Sequence, residues 1–248
     1  MPDSTSSHPP RTKPDATTAP IPAKVPGQPS SSTPSSSELS GLQVKLRRAV
    51  RQFPDFPSKG ILFEDIFPIF ADPELHEALL RALELHVLSR THSGGQLHKI
   101  SAGGSDGRGK SAIGKRSDVD VVLGLEARGF MFGPSLALRL GASFVPVRKR
   151  GKLPGPTETA TYEKEYGTDF FEIQKGAVTE GQKVLIVDDL IATGGSAAAA
   201  GSLVKRSGGV ILSYIFILEL DFLHGRDKLD APVYTLLSSQ DKETESTS

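Results

Sequence analysis

Cysteine is absent from this 248-residue chain. Disulfides, thiolate nucleophiles and cysteine-ligated zinc are therefore excluded before any motif is read. Net charge is absent as well: 29 Lys and Arg balance 29 Asp and Glu. Such a balance gives no reason to expect a nucleic-acid or anionic-membrane binder, although a local basic patch can still hold phosphates. Tryptophan is missing, and no window reaches the about 18 uninterrupted apolar residues of a transmembrane helix. Residues 1–20 lack an apolar core segment, so no secretory signal is expected, and the expected location is the cytoplasm. What is present suffices for one well-filled core, since 37% of residues are hydrophobic and 12 are Phe.

The first 40 residues hold 9 Pro, 10 Ser and 5 Thr. Burial in such a segment cannot offset the entropy of ordering it, and residues 1–38 are expected to be a disordered tail. The folded domain is expected over 39–240, with 241–248 a flexible C-terminus. From Leu42 the apolar residues Leu46, Ala49, Val50 and Phe53 recur at helical spacing, and the helix should end at Phe53-Pro54. Asp72-Pro73-Glu74 opens a second helix through Val87, with Asp72 as N-cap. Residues 89–118 are polar and Gly-rich, as in a long exposed loop.

The pattern then changes. Val119 to Leu125 is a nearly continuous apolar run, the mark of a parallel strand buried on both faces. A turn region over Gly129–Gly133, a short helix ending at Gly141 and the strand ASFVPV follow. Residues 152–183 read as a polar loop or hairpin plus a short strand. Val184–Val187, Ser196–Arg206 and Val210–Leu218 complete a strand, helix, strand order. Repeated alternation of this kind predicts an α/β fold with a mostly parallel sheet.

Ligands of open α/β sheets bind beyond the C-terminal ends of the strands. Three such ends carry unusual chemistry: Leu125–Gly129, Val147–Lys152 and the stretch Val184–Gly195. Adjacent carboxylates such as Asp188 and Asp189 repel and resist burial, so a solvated strand end or a helix cap is one reading. The residues that follow, Ala192, Thr193, Gly194, Gly195 and Ser196, supply small side chains at a helix start, where exposed N–H groups seat a phosphate. Carboxylates suit sugar hydroxyls, or a metal-bound diol, and the pair together describes a sugar phosphate. G-x-x-x-x-G-K-[ST] and G-x-G-x-x-G are both missing, so neither a triphosphate loop nor a dinucleotide fingerprint is present. Arg148, Lys149 and Lys152, with Arg128 at the neighbouring strand end, suit a second polyanion such as pyrophosphate, although a basic run is more often a solvated surface.

VLIVDDLIATGGS resembles the ribose-phosphate motif of the type I phosphoribosyltransferases, and FPDFPSKGILFEDI, GLEARGFMFGPSLA, VPVRKRGKLPGPT and YEKEYG resemble their adenine-specific branch in the same order. The resemblance covers Leu42 to Leu237. It implies the type I phosphoribosyltransferase fold, with a mostly parallel central sheet flanked by helices and a small N-terminal hood. It implies transfer of the phosphoribosyl group of 5-phosphoribosyl 1-diphosphate to adenine with Mg²⁺, in a homodimer. By resemblance, the 5′-phosphate sits on Ala192–Ser196, Asp188 and Asp189 face the ribose hydroxyls, and Arg128, Arg148, Lys149 and Lys152 meet the pyrophosphate. Glu165 matches the glutamate that exchanges a proton with adenine N7, with Tyr166 beside it, and adenine stacks on Phe63 with the Leu62 and Phe63 backbone at its edge. Mg²⁺ is expected to be held mainly by substrate and water near Asp188 and Asp189, with no direct protein ligation. Two departures stand out: Glu64, where several members carry a basic residue, and the polar insertion 98–118. The alternatives are a transferase for hypoxanthine, guanine or xanthine, and a non-catalytic homologue that only binds the sugar phosphate.

Overall fold

The computed structural model describes residues 36–56, 59–60, 62–92, 116–163 and 168–237, all within one compact unit, Thr33–Ser248. Helix α1 spans Ser36–Ala49, starting before the expected Leu42. Glu38 in its first turn and Arg47 and Arg48 in its last complement the helix dipole, which lets the helix reach into a Ser-rich stretch. It also stops short of Phe53. Arg51–Pro54 instead forms strand β1, antiparallel to β2 (Leu62–Asp65), because the residue before a proline is pushed to extended backbone. Helix α2 (Phe67–Ala71) follows, its Phe67 N–H donating to Asp65 Oδ1 at 2.9 Å. Helix α3 (Pro73–His92) is capped as expected, with Asp72 Oδ1 accepting from the N–H of Glu74 (2.8 Å) and of Leu75 (3.2 Å).

The main sheet contains β3 (Val121–Leu125), β4 (Ser143–Lys149), β5 (Thr157–Glu163), β6 (Thr168–Gln174), β7 (Lys183–Ile191), β8 (Val210–Glu219) and β9 (Val233–Thr235). Their order is β5-β6-β4-β3-β7-β8-β9. The pairs β4–β3, β3–β7, β7–β8 and β8–β9 are parallel, and the β5–β6 hairpin joins β4 antiparallel. The mostly parallel sheet is as expected. The hairpin resolves the ambiguous stretch 152–183 into an edge extension of the sheet.

Period-two alternation divides the core. Val122, Leu185, Val187, Ile215 and Ile217 pack with α3 and α4 (Gly133–Leu140) on one face. Val121, Leu123, Ile186, Tyr214 and Phe216 pack with α5 (Gly195–Arg206) on the other. Each fully buried aliphatic side chain contributes roughly 1.5–3 kcal/mol relative to exposure, which is why these strands read as unbroken apolar runs. Helix α4 stops at Gly141, whose φ of 69° gives the left-handed C-cap that glycine adopts freely.

Candidate active site

Parallel pairing aligns the strand ends. Gly124 is level with Pro146 on β4 and with Val187 on β7. Glu126, Arg148 and Asp188 therefore emerge along one edge of the sheet, and the Glu126 N–H donates to Val147 O at 3.1 Å. Gly129 allows the next turn to cross this edge: a Cβ there would stand 2.7 Å from Val187 O.

The acid pair lies inside β7 rather than beyond it. Cross-strand partners Phe216 and Leu218 keep the backbone extended through Asp188 and Leu190, which local sequence does not reveal. Asp188 Oδ1 accepts the N–H of Asp189 at 2.9 Å. Asp189 is buried, and its Oδ2 lies 2.8 Å from Arg128 Nε. Burial raises the Asp188 carboxyl well above the usual range, and the neighbouring Asp189 charge raises it further. Burial also raises Asp189, with Arg128 acting against it. A site of this kind favours a hydroxyl donor or a cation from outside, because either relieves the clash.

Beyond Ile191 the chain turns through Ala192, Thr193 and Gly194 into α5. Gly194 has φ +77°, and no side chain caps the helix. The first N–H groups of α5 thus face outward with the positive end of the helix dipole, an anion seat. The short 3-10 helix Gly225–Lys228 forms its floor: a Cβ on Gly194 would meet Gly225 O at 2.2 Å, and one on Gly225 would meet Ala192 O at 2.2 Å.

The basic row is fixed by two carboxylates to which sequence reading gave no role. Glu126 Oε2 accepts from Arg148 Nε at 2.9 Å and from the Lys149 N–H at 2.8 Å. Burial would raise Glu126, but the Arg148 and Lys149 bonds hold it below the ordinary carboxylate range. Buried Glu172 on β6 accepts the N–H groups of Lys152 and Leu153 at 3.1 Å each. The only advance signal for Glu126 is its place in the GLEARG stretch. Glu172 has none, since a lone acid in a polar stretch normally faces solvent.

Between the hood and the sheet lies a cleft of about 520 Å³, open to solvent, bounded by Leu62, Phe63, Arg128, Asp189, Leu190 and Leu220. Phe63 is half-buried and meets Phe56 edge-on, ring centroids 5.1 Å apart. Glu64 also lines this cleft, with its side chain buried against Arg47, Oε1 to Nη1 2.7 Å. Asp65 is held likewise by Arg51 Nε at 3.1 Å. The unusual acid at position 64 is thus a strut for β2.

Comparison with known proteins supplies the family. The family model described as Phosphoribosyl transferase domain matches residues 94–248. An adenine phosphoribosyltransferase of Debaryomyces hansenii is 54% identical over 203 residues, covering 82% of this chain and 95% of that protein. One from Yarrowia lipolytica is 53% identical over 203 residues, covering 82% and 99%. The chain belongs to the adenine phosphoribosyltransferases. A crystal structure of the Saccharomyces cerevisiae adenine phosphoribosyltransferase, in complex with an imino-altritol bisphosphate and adenine, matches with TM-score 0.68 and 51% identity. It covers 80% of this chain and 99% of that one. The domain match begins at residue 94 and leaves out Leu62 and Phe63, so it speaks for sugar-phosphate chemistry, and the full-length adenine phosphoribosyltransferase relatives speak for the base.

The structure brings together Leu62, Phe63, Arg128 and Asp189 around the cleft, with Asp188 next to Asp189 in β7 and Ala192 to Ser196 one turn further on. Arg148, Lys149 and Lys152 lie along the same sheet edge. Glu165 and Tyr166 lie outside the described residues. No helix among the described residues is long and apolar enough to cross a membrane.

Proposed function

We infer that the protein joins adenine to the phosphoribosyl group of 5-phosphoribosyl 1-diphosphate, giving AMP and diphosphate. The carrying observation is the acid pair of β7 running straight into the uncapped N-terminus of α5, beside a row of lysine and arginine. Ala192 to Ser196 take the 5′-phosphate, and Asp188 and Asp189 accept from the ribose hydroxyls. Arg128, whose Nε lies against Asp189, joins Arg148, Lys149 and Lys152 in stabilising the departing diphosphate. Adenine lies on Phe63, with the Leu62 and Phe63 backbone reading its edge.

In the reaction the C1–O bond to diphosphate breaks as the bond from adenine N9 forms. Glu165 is assigned the proton exchanged at N7, and Tyr166 a place beside it in the closing loop. The buried acid pair suits Mg²⁺ shared with substrate and water. Among the described residues no group of three His, Asp or Glu could hold it alone. Bound there, Mg²⁺ would neutralise charge on the leaving diphosphate. The reading extends to a homodimer in the cytoplasm, supported by the family resemblance.

The test is purified protein with 5-phosphoribosyl 1-diphosphate, Mg²⁺ and, separately, adenine, hypoxanthine, guanine and xanthine. AMP from adenine alone is expected; preference for another base would move the assignment to that purine, and no nucleotide from any would leave only a binding protein. Glu165→Gln should lower kcat by about 10²–10⁴-fold with little change in phosphoribosyl diphosphate affinity. An unchanged kcat removes Glu165 from its role.

A further inference from the structure

Glu172 stands apart from the other buried acids of the protein. Its residue is 3% exposed, and it lies directly opposite Arg148 across the β4–β6 pairing. Arg148 does not turn to it but bonds Glu126. Among the described residues no Lys, Arg or His forms an ion pair with Glu172. Its partners are neutral: the N–H groups of Lys152 and Leu153, 3.1 Å each from Oε1, and Thr157 Oγ1, 3.3 Å from Oε2.

A buried carboxylate without a counter-cation is costly to folding. Nor does the loop require the acid, because the backbone N–H groups of an exposed turn can bond to water. What the acid does supply is a fixed point. It ties two consecutive amides at the start of the 152–156 turn, and Gly151 and Gly155, at φ +78° and +76°, shape the chain on either side. Lys152 itself is exposed, and its ammonium has no protein partner among the described residues. Glu126 holds the Lys149 N–H in the same way, and there the Lys149 charge also acts on the carboxylate.

We propose that Glu172 is a positioning residue for diphosphate binding, acting through the backbone of Lys152 to set where that ammonium stands. This rests on the assignment of Lys152 as a diphosphate ligand. Gln can supply the same geometry: its amide oxygen accepts both N–H groups and its NH₂ donates to the Thr157 hydroxyl. Ala cannot, and Asp falls a methylene short.

Steady-state kinetics on the full chain test it, with both substrates varied and a melting curve recorded for each variant. Glu172→Ala should raise KM for 5-phosphoribosyl 1-diphosphate about tenfold, leaving KM for adenine and kcat within about twofold, and Glu172→Gln should restore the parent value within about threefold. Lys152→Ala should raise the same KM, and the double variant should be no worse than Lys152→Ala alone. Should Glu172→Ala fail to fold, Glu172→Asp carries the test, with the same substrate-specific rise expected. An unchanged KM for phosphoribosyl diphosphate in Glu172→Ala or Asp, equal loss for both substrates, or multiplying effects of Glu172 and Lys152 would overturn the proposal. If Lys152→Ala leaves that KM unchanged while the parent enzyme turns over, the ligand assignment fails first.

Discussion

Replacing Asp188 with Asn removes a charge where burial and Asp189 both oppose ionisation. A carboxyl raised in the fold binds its proton more tightly there than in the unfolded chain, so its contribution to stability is present at low pH and lost as pH rises through the raised value. At pH 8 Asp188→Asn is therefore expected to melt higher, by roughly 1 kcal/mol of added stability, while binding phosphoribosyl diphosphate at least about tenfold more weakly. Calorimetry and a binding titration check both halves, and a lower Tm would show that the Asn amide breaks the bond to the Asp189 N–H. His86 has the opposite dependence. It stacks on Tyr234, and burial, with Arg90 nearby, lowers its pKa from 6.5 to about 4. Between pH 6.5 and 4 the unfolded chain gains a proton that the fold refuses, so stability falls with pH in that window. After discounting for partial exposure, His86 should account for about 2 kcal/mol of the loss. His86→Phe keeps the stack and should flatten that part of the pH–stability curve measured in urea.

The strand, turn and helix of β7–α5 form the unit in which local sequence and tertiary packing divide the work most clearly. Gly194 and Gly195 are legible as a turn with a helix behind it. That Gly194 must also be bare on its Cβ side is not legible, because the obstacle is Gly225, 31 residues away in a different turn. Gly194→Ala meets a positive φ, worth about 1–2 kcal/mol, and a carbonyl oxygen in its path. The expected result is a 5′-phosphate seat pushed out of shape, with KM for phosphoribosyl diphosphate up more than about tenfold and KM for adenine little changed. Gly225→Ala should reproduce the effect from the other side, since its Cβ would meet Ala192 O. Kinetics with both substrates decide it. In the same element, the strand continues through the aspartates because β8 pairs with it, whereas apolar patterning ends the strand at Val187.

Over the whole molecule, the site lies at the C-terminal ends of β3, β4 and β7, and Arg116 enters at the other end of β3, its N–H bonded to Leu140 O at 3.2 Å. The expected insertion 98–118 falls mostly outside the described residues, but it rejoins the sheet on the side away from the chemistry. Shortening residues 98–115 to a few Gly and Ser should leave both KM values within about twofold of the parent, with any change confined to Tm. A tenfold loss of activity would instead place that segment in reach of the site. The β1–β2 hood was expected only as a consequence of family resemblance; neither periodicity nor turn signals distinguish β1 from the tail of α1, because four residues carry too little pattern.

The sequence alone determined the parallel sheet, since strands buried on both faces must be apolar throughout, as Val121 to Leu125 are. It also pointed to sugar-phosphate chemistry, because paired acids followed by a Gly-rich helix start are local features, separated by a few residues. The tertiary structure decided everything that depends on approach between distant segments. It set Arg128 against Asp189, Glu64 against Arg47, Gly225 under Gly194, and Glu172 beneath the Lys152 backbone. A side chain's type can be read from the chain, but its partner is chosen by strand register, and register is fixed only when the whole core packs.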